Sequence, residues 1–297
     1  MKTILLCDSG LGGLDIAAKL IGQVRSRGAG SFRLIYFNAW PHPQCGYNQL
    51  KNDQERCQVF AAALDGMARF HPDFCLVACN TLSIVYRKIA ADKPLPFPVV
   101  EMLRPGSEFF AEAMQRQPEL RLLILGTDTT IRSGMYTEQL IQAGILPERL
   151  ASLACPGLAT ALEDGFESSA VRQKIAFAAE QARAMILEDT PLALALCCTH
   201  FGYAENLFKT EFAARFRQEP QLLNPNESIL RQPELQSCLQ QAGNPQVSVE
   251  FFSRFPMPQS KMRIFAEYFK GCAPELSEAL LQARCDEALF TLPEGIF

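Results

Sequence analysis

Two cysteines in this chain sit where proton chemistry could be done. Cys79 follows the apolar run 74–78 and leads into Asn80-Thr81; Cys198 follows the run 192–196 and leads into Thr199-His200. Either thiol alone reads equally well as a small buried hydrophobe at a strand end. Together, in the same local setting, they suggest a pair. A helix starting just after a cysteine favours its thiolate. An unperturbed thiol, with a pKa of about 8.5, is little ionised at neutral pH. A lowered pKa would make one sulfur a base while the other stays a proton donor. Placed on opposite sides of a tetrahedral carbon, one group removes a proton and the other returns one from behind. The centre inverts, and reversal needs only an exchange of protonation states.

The elements that must hold these residues are legible from hydrophobic pattern. Apolar runs of strand length cover 2–7, 32–37, 74–78, 99–102, 121–125, 192–196 and 247–252, as expected for strands buried on both faces. Helical periodicity covers 14–24, 54–69, 82–91, 133–142, 171–187 and 203–216. The alternation predicts an α/β protein with parallel sheets. Ligands in such folds bind beyond the carboxyl ends of the strands. Four of those ends are polar: Asp8-Ser9-Gly10, Cys79-Asn80-Thr81, Gly126-Thr127 and Cys198-Thr199-His200. Their hydroxyls and free N–H groups could gather around one small anion. The similarity between the two cysteine turns suggests two pseudo-symmetric, doubly wound lobes with a cleft between them. The first lobe is expected over 1–98 plus 217–297, with a C-terminal helical extension at 272–297, and the second over 99–216.

Composition removes several classes. With 297 residues, 48% hydrophobic and 20% charged, the chain can bury a large core and is not of disordered type. A net charge of -4 with no basic stripe argues against nucleic acid. No run is long enough to span a membrane, and the N-terminus is too short for a signal peptide, so a cytoplasmic location is expected. The eleven cysteines are scattered, odd in number and without a CxxC pair, which speaks against a disulfide framework or a thiolate metal site. His42 and His71 lack ligand spacing. The glycines from Gly10 to Gly13 match neither a dinucleotide nor a mononucleotide fingerprint.

Four segments, taken in order, resemble the glutamate racemase family of the aspartate/glutamate racemase superfamily: Asp8-Ser9-Gly10-Leu11-Gly12-Gly13, Ala78-Cys79-Asn80-Thr81, Gly126-Thr127 with Thr130, Ser133 and Tyr136, and Cys198-Thr199-His200. Leu162-Glu163-Asp164-Gly165 is similar to a further family stretch. The resemblance implies a cofactor-independent amino-acid racemase, without pyridoxal phosphate or metal, that supplies D-glutamate for peptidoglycan. It implies that Cys79 and Cys198 serve the two faces of Cα, that Asp8 assists Cys79, and that His200 and Glu163 support Cys198. Asn80, Thr81, Thr127, Thr130 and Thr199 would hold the α-carboxylate and α-amino group. Ser9, Cys45 and Gly46 would receive the side-chain carboxylate. Each has a plain alternative: Asp8 as a turn cap, His200 as a structural histidine, Glu163 as a helix-dipole partner.

The chain departs from the family pattern in the side-chain pocket. The Pro-Tyr-Gly turn is Gln44-Cys45-Gly46, an acidic position is Ala39, a Glu-Pro is Arg104-Pro105, the Tyr-Pro after the second turn is Phe201-Gly202, a frequent Asp is Asn224, and a usual glycine is Cys197. Racemisation of another acidic amino acid such as aspartate, or a non-catalytic ligand-binding role, therefore stays open beside glutamate. The terminal segment 274–289 reads as an amphipathic helix that either caps its lobe or builds a homodimer interface.

Overall fold

In the computed structural model, which describes residues 1–28, 30–186, 190–240, 243 and 246–296, strands and helices alternate along most of the chain. Residues Met1–Glu101 carry β1 (Lys2–Asp8), α1 (Leu14–Arg27), β2 (Ser31–Asn38), α2 (Asp53–Ala68), β3 (Phe74–Val77), α3 (Asn80–Ile89) and β4 (Val99–Glu101). Residues Met102–Ser228 carry α4 (Leu103–Arg116), β5 (Arg121–Gly126), α5 (Asp128–Ser133), α6 (Met135–Gln142), β6 (Leu150–Ala154), α7 (Leu158–Glu163), α8 (Ser169–Arg183), β7 (Leu192–Cys197), α9 (Glu205–Phe216) and β8 (Gln221–Leu223). Residues Ile229–Phe297 add α10 (Pro233–Cys238), β9 (Gln246–Ser253), α11 (Gln259–Phe269), α12 (Pro274–Leu281) and β10 (Arg284–Cys285). The first and third stretches form one unit and the middle stretch the other.

Each unit is built on a parallel sheet. The first has the strand order β10-β9-β2-β1-β3-β4 and the second β6-β5-β7-β8. Parallel strands need helical crossovers, so both faces are covered and the central strands are buried along nearly their whole length. In both units the first strand is flanked by the second on one side and the third on the other. The chain therefore reverses direction of travel at β1/β3 in one unit and at β5/β7 in the other. Such reversal points open a crevice at the carboxyl ends of the strands. The sequence echo between the two cysteine turns thus corresponds to a repeated topology, with Cys79 just past β3 and Cys198 just past β7.

Several expectations need correction. The boundary expected at 216/217 falls at 228/229, because β8 pairs with β7 and keeps residues 217–228 in the second unit; the one expected at 98/99 falls at 101/102, where β4 completes the first sheet. The helix expected at 133–142 starts earlier and breaks at Gly134, whose φ of +67° turns the chain between α5 and α6. The helix expected at 171–187 is α8, and the end of that range lies outside the described residues. The terminal helix stops at Leu281; β10 then adds to β9, and Leu289 and Phe290 enter the core of the first unit beside Phe37 and Phe60. The strands β6 and β8 and the helices α4 and α11 are additions to the expected elements; α11 buries Met262, Phe265, Ala266 and Phe269 at helical spacing. Among the described residues, no helix is long and apolar enough to cross a membrane.

Candidate active site

Cys79 and Cys198 have nearly the same backbone. Each is an extended residue at the N-cap of the following helical turn, with φ −148° and ψ 123° at Cys79 and φ −148° and ψ 127° at Cys198. The N-cap position directs a side chain toward the free N–H groups of the first turn. At Cys79 that contact forms: its Sγ accepts from the Leu82 N–H at 3.5 Å. The Ser83 hydroxyl donates to the Cys79 carbonyl at 2.7 Å and fixes the turn from below. Both thiols are buried, with relative exposures of 6% each, so a small part of each surface stays open.

In the first unit, Ser9 and Asp8 at the end of β1 lie next to the Cys79 turn. The Ser9 hydroxyl and the Cys79 Sγ are 3.3 Å apart. Asp8 is fully buried, and its carboxylate is near enough to disfavour a thiolate at Cys79. Gly13, which opens α1, allows this approach; a Cβ there would stand 3.1 Å from the Cβ atoms of both Asp8 and Ala78. At Cys79 the helix terminus does not prevail, so this is the thiol that stays a proton donor. Burial comes first and the Asp8 charge second, and together they push the thiol up to about 12 against the hydrogen bonds from Ser9 and Leu82. Desolvation outweighs one helix terminus because it penalises the whole charge, whereas the terminus offers only a partial charge.

Asn80 and Thr81 begin α3 and are buried beside Cys79. Cys45 and Gly46 lie on the loop after β2. That loop is closed by a bridge between His42 and Cys45 and by the Trp40 indole, which donates to the His42 carbonyl at 2.6 Å. The Trp40 ring leans over Gly46 so closely that a Cβ would come within 2.5 Å of it. Cys45 packs against the same apolar cluster that includes Cys79.

In the second unit, Cys198, His200 and Glu163 form a line. The Cys198 Sγ lies 3.8 Å from the His200 Nδ1, and the His200 Nε2 lies 3.0 Å from the Glu163 Oε1. All three are buried. Burial by itself would lower the His200 pKa, but the hydrogen bonds and charges of Cys198 and Glu163 outweigh it and hold the imidazole well above its ordinary value. The imidazole proton is thus held in a buried line between the Cys198 Sγ and the Glu163 carboxylate. Thr127 stands beside this turn, since Gly126 pairs in register with Cys197. Its hydroxyl is 3.1 Å from that of Thr130 and accepts from the Thr130 N–H. The Thr199 carbonyl accepts from the Asn226 amide at 3.2 Å.

The thirteen sequence candidates therefore gather in two sets, one per unit, with Cys45 and Gly46 set apart on their own loop. Three supporting residues carried no signal in the sequence: Ser83, Asn226, and Cys155, whose buried thiol lies in the electrostatic range of Cys198. Among the described residues, no group of His, Cys, Asp and Glu is arranged to hold a metal.

Comparison with known proteins follows the same lines. A family model described as Asp/Glu/Hydantoin racemase matches residues 4–220. A glutamate racemase of Bacillus cereus is 30% identical over 204 residues, covering 67% of this chain and 68% of its own. The crystal structure of a glutamate racemase isoform from Bacillus anthracis superposes with a TM-score of 0.69 at 27% identity, covering 91% of this chain and 94% of that one. A glutamate racemase from Francisella tularensis, solved in complex with D-glutamate, shares the fold with a TM-score of 0.66 at 19% identity, covering 95% and 94% of the two chains. The chain belongs to the aspartate/glutamate/hydantoin racemase family and is an isomerase of the amino-acid racemase type.

Proposed function

We propose that the protein interconverts L- and D-glutamate by cofactor-independent, two-base proton transfer between Cys79 and Cys198. The observation that carries this reading is the matched backbone of the two cysteines at the reversal points of two like-ordered sheets. Each thiol also has its own proton-handling neighbours. Cys79, held protonated, is the resting donor. Cys198, in line with His200 and Glu163, takes the part of the base. The Cys198 thiolate takes the Cα proton, the C–H bonding pair stays on the substrate as a carbanion, and the Cys79 thiol delivers its proton to the opposite face. The product leaves the enzyme with Cys79 as thiolate and Cys198 as thiol, ready for the reverse direction. Asp8 then serves Cys79 as His200 and Glu163 serve Cys198. Thr127, Thr130, Thr199, Asn80 and Thr81 supply hydroxyl, amide and backbone donors for the α-carboxylate and acceptors for the α-ammonium. Ser9, Cys45 and Gly46 receive the distal carboxylate. A D-glutamate product fits the peptidoglycan role typical of the family.

Aspartate is the second reading. It is favoured by the loop that holds Cys45 and Gly46, where the Trp40 ring leaves little space over Gly46. Incubating the protein with L-glutamate, L-aspartate and neutral amino acids in heavy water separates these readings. Glutamate is expected to gain deuterium at Cα and to lose optical rotation. Cys79→Ser and Cys198→Ser should each slow inversion by about 10²–10⁴-fold, since a serine hydroxyl is a far weaker acid. Undiminished turnover in either variant, or binding of acidic amino acids without any Cα exchange, would sink the proposal.

A further inference from the structure

The Glu163–His200 pair joins two short elements. Glu163 is the last residue of the six-residue helix α7, and His200 is the second residue of a six-residue 3₁₀ turn, Thr199–Ala204. Neither is long enough to hold its shape unaided. Three residues beyond each member of the pair stands an aromatic ring, Phe166 after Glu163 and Tyr203 after His200. These rings are stacked, with centroids 4.7 Å apart and planes 18° from parallel. The chain reaches Phe166 through Gly165, whose φ of +149° is one that side-chain-bearing residues rarely adopt. Glycine at this point turns the backbone sharply after α7. Tyr203 also packs on the core that includes Cys198 and Phe201, so the stack is anchored to the rest of the second unit.

We infer that Phe166 and Tyr203 are positioning residues: their stack clamps α7 to the cysteine turn and holds Glu163 in line with His200 and Cys198. This deepens the racemase reading and rests on it for its catalytic consequence, though the clamp itself is a property of the second unit alone. The ionisable groups acting on His200 are Cys198 from its own turn and Glu163 from α7. Loosening the clamp draws the Glu163 carboxylate away from the buried imidazole. The proton affinity of the imidazole then falls, and His200 is less firmly placed against the Cys198 Sγ.

The chain has three histidines, His42, His71 and His200, so imidazole NMR titration resolves His200 directly, with His200→Gln assigning the signal. Phe166→Leu keeps apolar bulk but no ring face, and Phe166→Tyr keeps the ring. The expected result is a lower His200 titration midpoint in Phe166→Leu, recovered in Phe166→Tyr. It should be accompanied by a loss of kcat of about tenfold or more in the leucine variant, recovered by tyrosine, because a small misplacement of a proton-transfer group is costly. A folded Phe166→Leu protein with an unmoved His200 midpoint overturns the clamp. A moved midpoint in a protein that racemises nothing keeps the clamp and overturns the racemase reading instead.

Discussion

At the scale of single residues, the two thiols differ in how their charge is managed. Cys79 depends on Ser9 and on the Leu82 N–H to offset burial and Asp8. Ser9→Ala removes one of those offsets, so iodoacetamide should modify Cys79 more slowly at a given pH; faster modification would show that Ser9 shields the thiol rather than stabilising its anion. Glu163→Gln removes the carboxylate beside His200. His200 binds its proton more tightly folded than unfolded, so this contribution to stability is complete below about pH 6.5, the ordinary histidine value, and fades as pH rises through the higher folded value. In Glu163→Gln that part of the pH dependence of Tm should shrink. Tyr47 offers a different test. Its ring packs edge-on against Phe60, and its hydroxyl is buried with no hydrogen-bond partner among the described residues. Tyr47→Phe should therefore raise stability, by about 1 kcal/mol or 2–4 °C in Tm. A lower Tm would mean that the hydroxyl is satisfied by water.

At the scale of elements, the C-terminal segment is part of the first unit's core. β10 extends the sheet at β9, the Asp286 N–H donates to the Ser253 carbonyl, and Leu289 and Phe290 are buried. Arg254 ties this segment to the loop after β2: its guanidinium lies 5.3 Å from the Phe290 ring and donates to the Pro41 carbonyl at 2.9 Å. Ending the chain after Gln282 exposes what Leu289 and Phe290 cover, each worth about 1.5–3 kcal/mol. Thermal unfolding of the truncated protein should come about ten degrees or more earlier; an unchanged Tm would make the segment an ornament. Gly66 of α2 meets the Leu289 carbonyl, a backbone atom that cannot rotate away. Gly66→Ala should therefore destabilise by about 1–3 kcal/mol through overpacking, with circular dichroism melts as the measure.

At the scale of the whole molecule, the buried thiols act together. Burial is the largest cause raising the pKa of Cys7, Cys75, Cys79, Cys155 and Cys197. Unfolded, each would ionise near pH 8.5, while folded, each keeps its proton to much higher pH. In that interval the native state binds more protons, so stability falls as pH rises above about 8.5. Melting between pH 8 and 11 should show a steep loss, made shallower by Cys75→Ala despite the small cavity that it leaves. A flat profile would mean that these sulfurs are wetter than their burial implies.

The sequence by itself determined the class of fold and the position of the chemistry. Apolar runs and polar ends are local properties, so the parallel α/β class and the strand-end settings of Asp8, Cys79, Thr127 and Cys198 are legible without a structure. So was the closeness of His200 to Cys198, two residues apart. Only the tertiary structure decided the strand orders that put both cysteines at reversal points, the pairing of Glu163 with His200 and of Phe166 with Tyr203, and the place of β8 and β10 in their sheets. It also decided that burial outweighs the helix terminus at Cys79. These features depend on partners far away in the chain: a short strand such as Gln221–Leu223 is defined by the neighbour it pairs with, and a thiol's proton affinity by how much water its surroundings exclude.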